Sequence, residues 1–142
     1  MSIVALQSLP MPLSEIDVTE HIVDMERTAL ERWGRGDPDG FLEISATDVS
    51  YFDPFTERRL DGLPALRTLY ESIRGKVKID RSDIIEPRVQ MAGDAAILTF
   101  RFESHGSEGI VHWNTTEVYR RTDAGWRIIH THWAFPQPRL AS

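Results

Sequence analysis

Cysteine is absent from this 142-residue chain. A disulfide framework, a thiolate metal site and a cysteine nucleophile are thereby excluded. Long apolar runs are missing too: nothing approaches the ~18 consecutive apolar residues of a membrane span. Positive charge is scarce. Lys and Arg number 16 against 22 Asp and Glu, a formal net charge of -6. Nucleic acid is not an expected partner, because phosphate binding needs a concentrated positive field. Gly34-Arg35-Gly36 lacks the later glycine and the preceding strand of a phosphate loop. No serine nucleophile elbow, internal repeat or low-complexity tract is present. What the chain does have is a 41% hydrophobic and 27% charged composition, enough apolar material for one core and too much for disorder.

Residues 1–13 read as an N-terminal arm. Ile3-Val4-Ala5-Leu6 is apolar, has no basic residue before it, and is soon broken by Pro10 and Pro12. Residues 14–138 read as a single domain and 139–142 as a tail. A cytoplasmic location is expected, with no membrane partner.

Helical signals fill the first half. Val18, Ile22, Met25, Ala29 and Trp33 recur every three or four residues, which predicts a helix from Ser14–Asp17 to Trp33, stopped by Gly34 and Gly36. Asp37-Pro38 opens a short helix burying Phe41, Leu42 and Ile44. A strand over about Asp48–Asp53 and a helix from Leu63-Pro64 to Gly75 follow. From Lys76 the period becomes two: Val77–Ile79, Ile84–Met91, Ala95–Glu103, Ile110–Arg121 and Trp126–Phe135 read as strands ending at Pro136. Helices first and strands after predict an α+β domain with helices on one face of an antiparallel sheet.

The segment Trp126-Arg127-Ile128-Ile129-His130-Thr131-His132-Trp133 resembles the last strand of the nuclear transport factor 2-like superfamily. Gly93-Asp94-Ala95-Ala96 and Thr116–Trp126 are similar to the calcium/calmodulin-dependent kinase II association domain. Gly36-Asp37-Pro38-Asp39-Gly40-Phe41, Tyr51-Phe52-Asp53-Pro54 and Leu60-Asp61-Gly62 resemble ketosteroid isomerase and SnoaL-like relatives. The resemblance covers about residues 18–138. It implies a cone-shaped α+β roll, helices closing a strongly curved sheet around a deep pocket. Strand alternation puts Ala96, Leu98, Phe100 and Phe102 on one face, as it does Trp113, Thr115, Glu117 and Tyr119, and Arg127, Ile129, Thr131 and Trp133, and the resemblance implies that these faces are the interior.

Two carboxylates are candidate catalytic residues. Asp53 matches the isomerase Asp-Pro whose carboxylate is the general base, with Tyr51, Phe55 and Trp33 as apolar surroundings. The alternative is an Asp-Pro that simply ends a strand. Glu117 matches the isomerase position of a protonated acid; the alternative is a Glu paired with Arg101 or Arg127. Two departures from the family patterns matter, the first for isomerase chemistry and the second for the ligand's charge. The isomerase tyrosine of the first helix falls near Ala29. The association domain's pocket arginines fall at Phe102, Glu117 and Trp133, which disfavours an anionic ligand. Trp33, Tyr51, Phe55, Tyr70, Phe100, Phe102, Thr115 and Trp133 are instead expected to bind a small apolar or aromatic ligand, their alternative role being core packing. No cofactor is called for. His112, His130 and His132 fall on the outer face without an evident acidic third ligand, so a metal is not expected there. Ile97, Val118 and Ile128 on that face, among Thr99, Arg101, Asn114 and Thr116, point to a homodimer interface. Function is thereby narrowed to a ligand-binding protein, an acid–base isomerase, dehydratase or cyclase, or an oligomerisation module.

Overall fold

The computed structural model describes residues 14–137. The first helix, α1 (Glu15–Gly34), starts where Ser14 caps it: its side-chain oxygen accepts from the Asp17 N–H at 3.1 Å. The apolar stripe buries Val18, Ile22, Ala29 and Leu30. Glu26 lies on the same buried side with no exposed surface. α2 (Asp39–Ile44) begins two residues after Asp37, whose Oδ1 accepts from the Asp39 N–H at 3.0 Å. Then come β1 (Ser45–Phe52), the two-residue β2 (Leu60–Asp61) and α3 (Leu63–Ile73). The long strands are β3 (Arg81–Ala92), β4 (Ala95–Gly106), β5 (Gly109–Thr122) and β6 (Gly125–Ala134).

The sheet order is β2-β1-β6-β5-β4-β3. The last four strands form an antiparallel meander, while β1 pairs parallel with β6. The sheet is therefore mixed rather than wholly antiparallel, because β1 reaches it through helices rather than a hairpin. It is unclosed, with β2 and β3 at its edges, and the helices pack on one face of it.

Two expectations for strands are corrected. Val77–Ile79 is not a strand, because its backbone is used elsewhere: the Ile79 N–H donates to Gly34 O at 2.9 Å, tying this segment to the end of α1. In β6 the register shifts opposite Val118 and Tyr119, so one residue is extra. Alternation is reset by that bulge. Trp126 and Ile128 are 6% and 0% exposed and belong to the core, whereas Arg127 and Ile129 were expected there. Ile128 is thus removed from the outer face. In β4 and β5 the expected parity holds: Ala96, Leu98, Phe100, Phe102, Thr115, Glu117 and Tyr119 are all buried.

The ends of α1 and α3 meet through two glycines. Gly36 has φ +84°, and a β-carbon there would lie 2.9 Å from Gly75 Cα. The Gly75 N–H donates to Gly36 O at 2.9 Å. Only glycine permits both the left-handed backbone and this approach. The contact fixes the spacing of the two helix ends that wall the cavity described next. Among the described residues no helix is long and apolar enough to cross a membrane.

Candidate functional site

Between the helix ends and the concave side of the sheet lies a cavity of about 500 Å³. Trp33 from α1, Phe41 from α2 and Tyr70 from α3 wall one side; Phe102, Trp113 and Trp133 from β4, β5 and β6 wall the other. Tyr51, Asp53 and Phe55 come from β1 and the turn that follows it. The rings meet edge to face: Trp33–Tyr70 at 5.0 Å, Tyr51–Tyr70 at 5.7 Å, Phe102–Trp133 at 5.7 Å and Trp113–Trp133 at 5.8 Å. This is the favoured arrangement of aromatic quadrupoles and stiffens the wall.

Of the residues singled out from the sequence, Trp33, Tyr51, Asp53, Phe55, Tyr70, Phe102 and Trp133 line this cavity. Phe100, Thr115 and Glu117 do not. Phe100 is 4% exposed and packs behind Phe102 and Trp133 at 6.3 and 6.1 Å. Thr115 is buried beside it. Trp113 faces inward as its parity requires and also lines the cavity.

Asp53 sits just past the end of β1. Its Oδ2 accepts from the Tyr51 hydroxyl at 2.8 Å, and its Oδ1 accepts from the Phe55 and Thr56 N–H groups at 2.8 and 2.9 Å. The carboxylate thus organises the turn, as an Asp-Pro often does. It also remains part of the cavity wall, so the two readings of this residue coexist in one geometry.

Glu117 has no arginine partner. It is fully buried and lies against a second fully buried acid, Glu26 of α1, which was not among the candidate residues. Thr131 Oγ1 donates to Glu117 Oε2 at 3.3 Å, and the Tyr119 hydroxyl donates to Glu26 Oε1 at 2.9 Å. The remaining oxygens, Glu117 Oε1 and Glu26 Oε2, have no other partner. The two carboxyls neighbour each other, so a proton on one would let it donate to the other. Two carboxylates without a proton between them would repel in a dry interior, so one proton is shared there. Burial pushes Glu26 up to about 7, and burial together with the neighbouring Glu26 holds Glu117 well above the usual carboxylate range. Glu117 is therefore the donor. Tyr70 lines the cavity and feels the pair: burial raises its phenol most, and the Glu117 carboxyl adds to the rise. A hint of the pair was present in the sequence, since Glu26 falls within the apolar stripe of α1, between Met25 and Ala29.

The three histidines of the outer face are not assembled. His112 pairs with Glu103 at 3.2 Å, His130 Nδ1 lies 2.7 Å from Ser50 Oγ, and His132 stacks near Phe52. Among the described residues, Asp83, Glu103 and His105 are the group of metal-ligating side chains whose atoms lie within 4.8 Å of one another. Arg81 already pairs with Asp83 at 3.2 Å.

This arrangement, helices over a curved sheet with a cavity between them, is that of the nuclear transport factor 2-like proteins. The calcium/calmodulin-dependent protein kinase II association domain model matches residues 18–136, and the chain belongs to that family. Among solved structures it is similar to a proposed ketosteroid isomerase from Parabacteroides distasonis, with 40% identity and a TM-score of 0.79 over 90% of this chain and 96% of that one. A calcium/calmodulin-dependent kinase II hub from S. rosetta shares the fold at 20% identity, with a TM-score of 0.67 over 88% of this chain and 99% of that one. So does a proposed nuclear transport factor 2-like dehydratase from Streptomyces avermitilis, at 22% identity and a TM-score of 0.67, covering 90% and 100%. No curated protein matches the chain.

Proposed function

We propose that this protein binds a small, largely apolar or aromatic molecule in the cavity between its helices and its sheet. The carrying observation is the cavity wall itself: a void of about 500 Å³ among interlocked aromatic rings, of a size that holds a small organic molecule. Titration calorimetry with 2-naphthol, a neutral bicyclic aromatic, tests this. Binding is expected to the native chain and not to Val77→Trp, which puts an indole into the same space. Equal heat from both would remove the proposal.

A second reading has one observation in its favour, the Asp53 carboxylate in the wall of the cavity. It is an acid–base isomerase, dehydratase or cyclase, and the 40%-identical relative is proposed to be a ketosteroid isomerase. Asp53 would be its base. Glu117, fully buried and not part of the cavity wall, would act as acid only through an intervening group such as the Tyr70 phenol. Three donors already occupy Asp53 oxygens, which leaves about one acceptor position for a substrate proton. Deuterium uptake into an enolisable ketone in D2O, abolished by Asp53→Asn, would move the balance to this reading.

The protein is further proposed to form a homodimer through the outer face of the sheet. Phe52 is 37% exposed there beside His130 and His132, and Ile97 and Val118 are half-buried in the isolated chain. A mixed apolar and polar sheet face of this kind suits a two-fold interface. Light scattering is expected to give twice the 16.3 kDa chain mass. A monomer mass would reject the dimer, and a larger ring would favour an assembly module like the hub proteins.

A further inference from the structure

The charge of the cavity wall is as distinctive as its aromaticity. Sixteen residues line the cavity and eight of them are aromatic. A single one, Asp53, carries a formal charge, and it is negative; no Lys, Arg or His is among them. An anionic ligand would meet aromatic faces, which carry negative potential, and one carboxylate. A neutral ligand would use the aromatic surface and leave the carboxylate idle. A cation would use both, because ring quadrupoles attract positive charge and a carboxylate at the same wall adds a charge-assisted hydrogen bond.

We infer that the ligand of this cavity is an organic cation, an aromatic or alkyl amine whose ammonium rests against Asp53 while its apolar body lies among the rings. This rests on the reading of the cavity as a ligand site. Asp53 is positioned for the task. Of the roughly four acceptor positions a carboxylate offers, Tyr51, Phe55 and Thr56 take three, which holds the group rigid and leaves one free. The aromatic neighbours of that position are the Tyr51 ring, which packs on Tyr70 at 5.7 Å, and Phe55, which packs on Trp113 at 6.4 Å. The acids whose charge raises the Tyr70 phenol, Glu117, Glu26 and Asp53, add no positive charge to this wall. The single formal charge in the cavity wall is therefore negative.

Three ligands of one shape separate the possibilities: tryptamine, tryptophol and indole-3-propionate, which are cationic, neutral and anionic. Calorimetry at neutral pH is expected to show tryptamine binding at least tenfold more tightly than tryptophol, with the propionate weakest. Added sodium chloride should weaken tryptamine and leave tryptophol unchanged. In Asp53→Asn, which retains an oxygen for the turn N–H groups, the advantage of tryptamine should shrink to threefold or less while tryptophol keeps its affinity within twofold. If tryptophol binds the native chain as well as tryptamine does, or if salt has no effect on tryptamine, the cation inference is wrong and the cavity reading stands. If none of the three binds, the cavity reading fails with it.

Discussion

Raising the pH through neutrality is expected to destabilise the protein, by roughly 3 kcal/mol from Glu26 alone, since one pKa unit corresponds to ~1.4 kcal/mol. Glu26 is fully buried and its pKa is raised from 4.5 to about 7. A folded value above the unfolded one means that the folded state holds the proton more tightly. The stabilisation is complete below the unfolded value and is lost as the pH climbs through about 7. Glu117 is also held well above the usual carboxylate range, by burial first and by the neighbouring Glu26 next, so its contribution carries the same sign. His130 works in the opposite sense. Burial and the neighbouring His132 lower its pKa, so its contribution is present above the unfolded value near 6.5 and lost on acidification. Asp37, Asp48, Asp61 and Glu71 also have lowered values, through arginine partners. Their loss falls on the acid side of the window, and they are solvent-screened surface pairs of small effect. Urea melts across about pH 5 to pH 9 should therefore show a falling stability that the doubly amidated variant, Glu26→Gln with Glu117→Gln, does not show. In that variant the carboxamides keep a donor and an acceptor between the two sites. A native chain with constant or rising stability over this range, or a variant with the native slope, would contradict the shared proton.

Phe102→Ala is expected to cost about 3–5 kcal/mol, a large part of the 5–15 kcal/mol a domain has. Phe102 is 2% exposed, closes one wall of the cavity, and packs against Phe100 and Trp133. Its removal would enlarge a void that the surrounding sheet cannot collapse to fill, because β4 is paired on both sides along its length. Thermal melts should fall by roughly 10 °C or more. Phe55→Ala is the contrast. That ring is 75% exposed, so its loss should change stability by about 0.5 kcal/mol or less while weakening any ligand held near Asp53. Equal melting of Phe102→Ala and the native chain would mean that the aromatic wall is not part of the fold's support.

Much of this architecture is legible in the sequence because it follows from periodicity. The stripe Val18, Ile22, Ala29 gives α1, and alternation in β4 and β5 puts Phe102 and Glu117 each on one face, which the family resemblance then turns inward. What escaped has two physical sources. Where the backbone departs from its period, parity is lost: a single extra residue in β6 moves Ile128 to the core and Arg127 away from it. Where a partner is distant in the chain, the pairing is invisible. Glu26 and Glu117 stand 91 positions apart, and a carboxyl needs no cation if another carboxyl lends it a proton, so the search for an arginine beside Glu117 found none. The parallel pairing of β1 with β6 is likewise a long-range choice that neither strand announces. The cavity lies between these cases. Its aromatic residues are visible one by one, but that seven of the singled-out residues share one void while Phe100 and Thr115 fall behind it depends on side-chain packing.

The ligand site is tested most directly by the four tryptophan indole signals in a proton–nitrogen NMR spectrum. Trp33, Trp113 and Trp133 line the cavity, whereas Trp126 packs in the core at the β5–β6 turn, away from it. Addition of 2-naphthol should shift the first three in proportion to one another, with a single saturating affinity, and leave Trp126 in place. Four signals that stay fixed to the solubility limit of the ligand, or a Trp126 signal that moves as far as the others, would contradict a binding site in the cone.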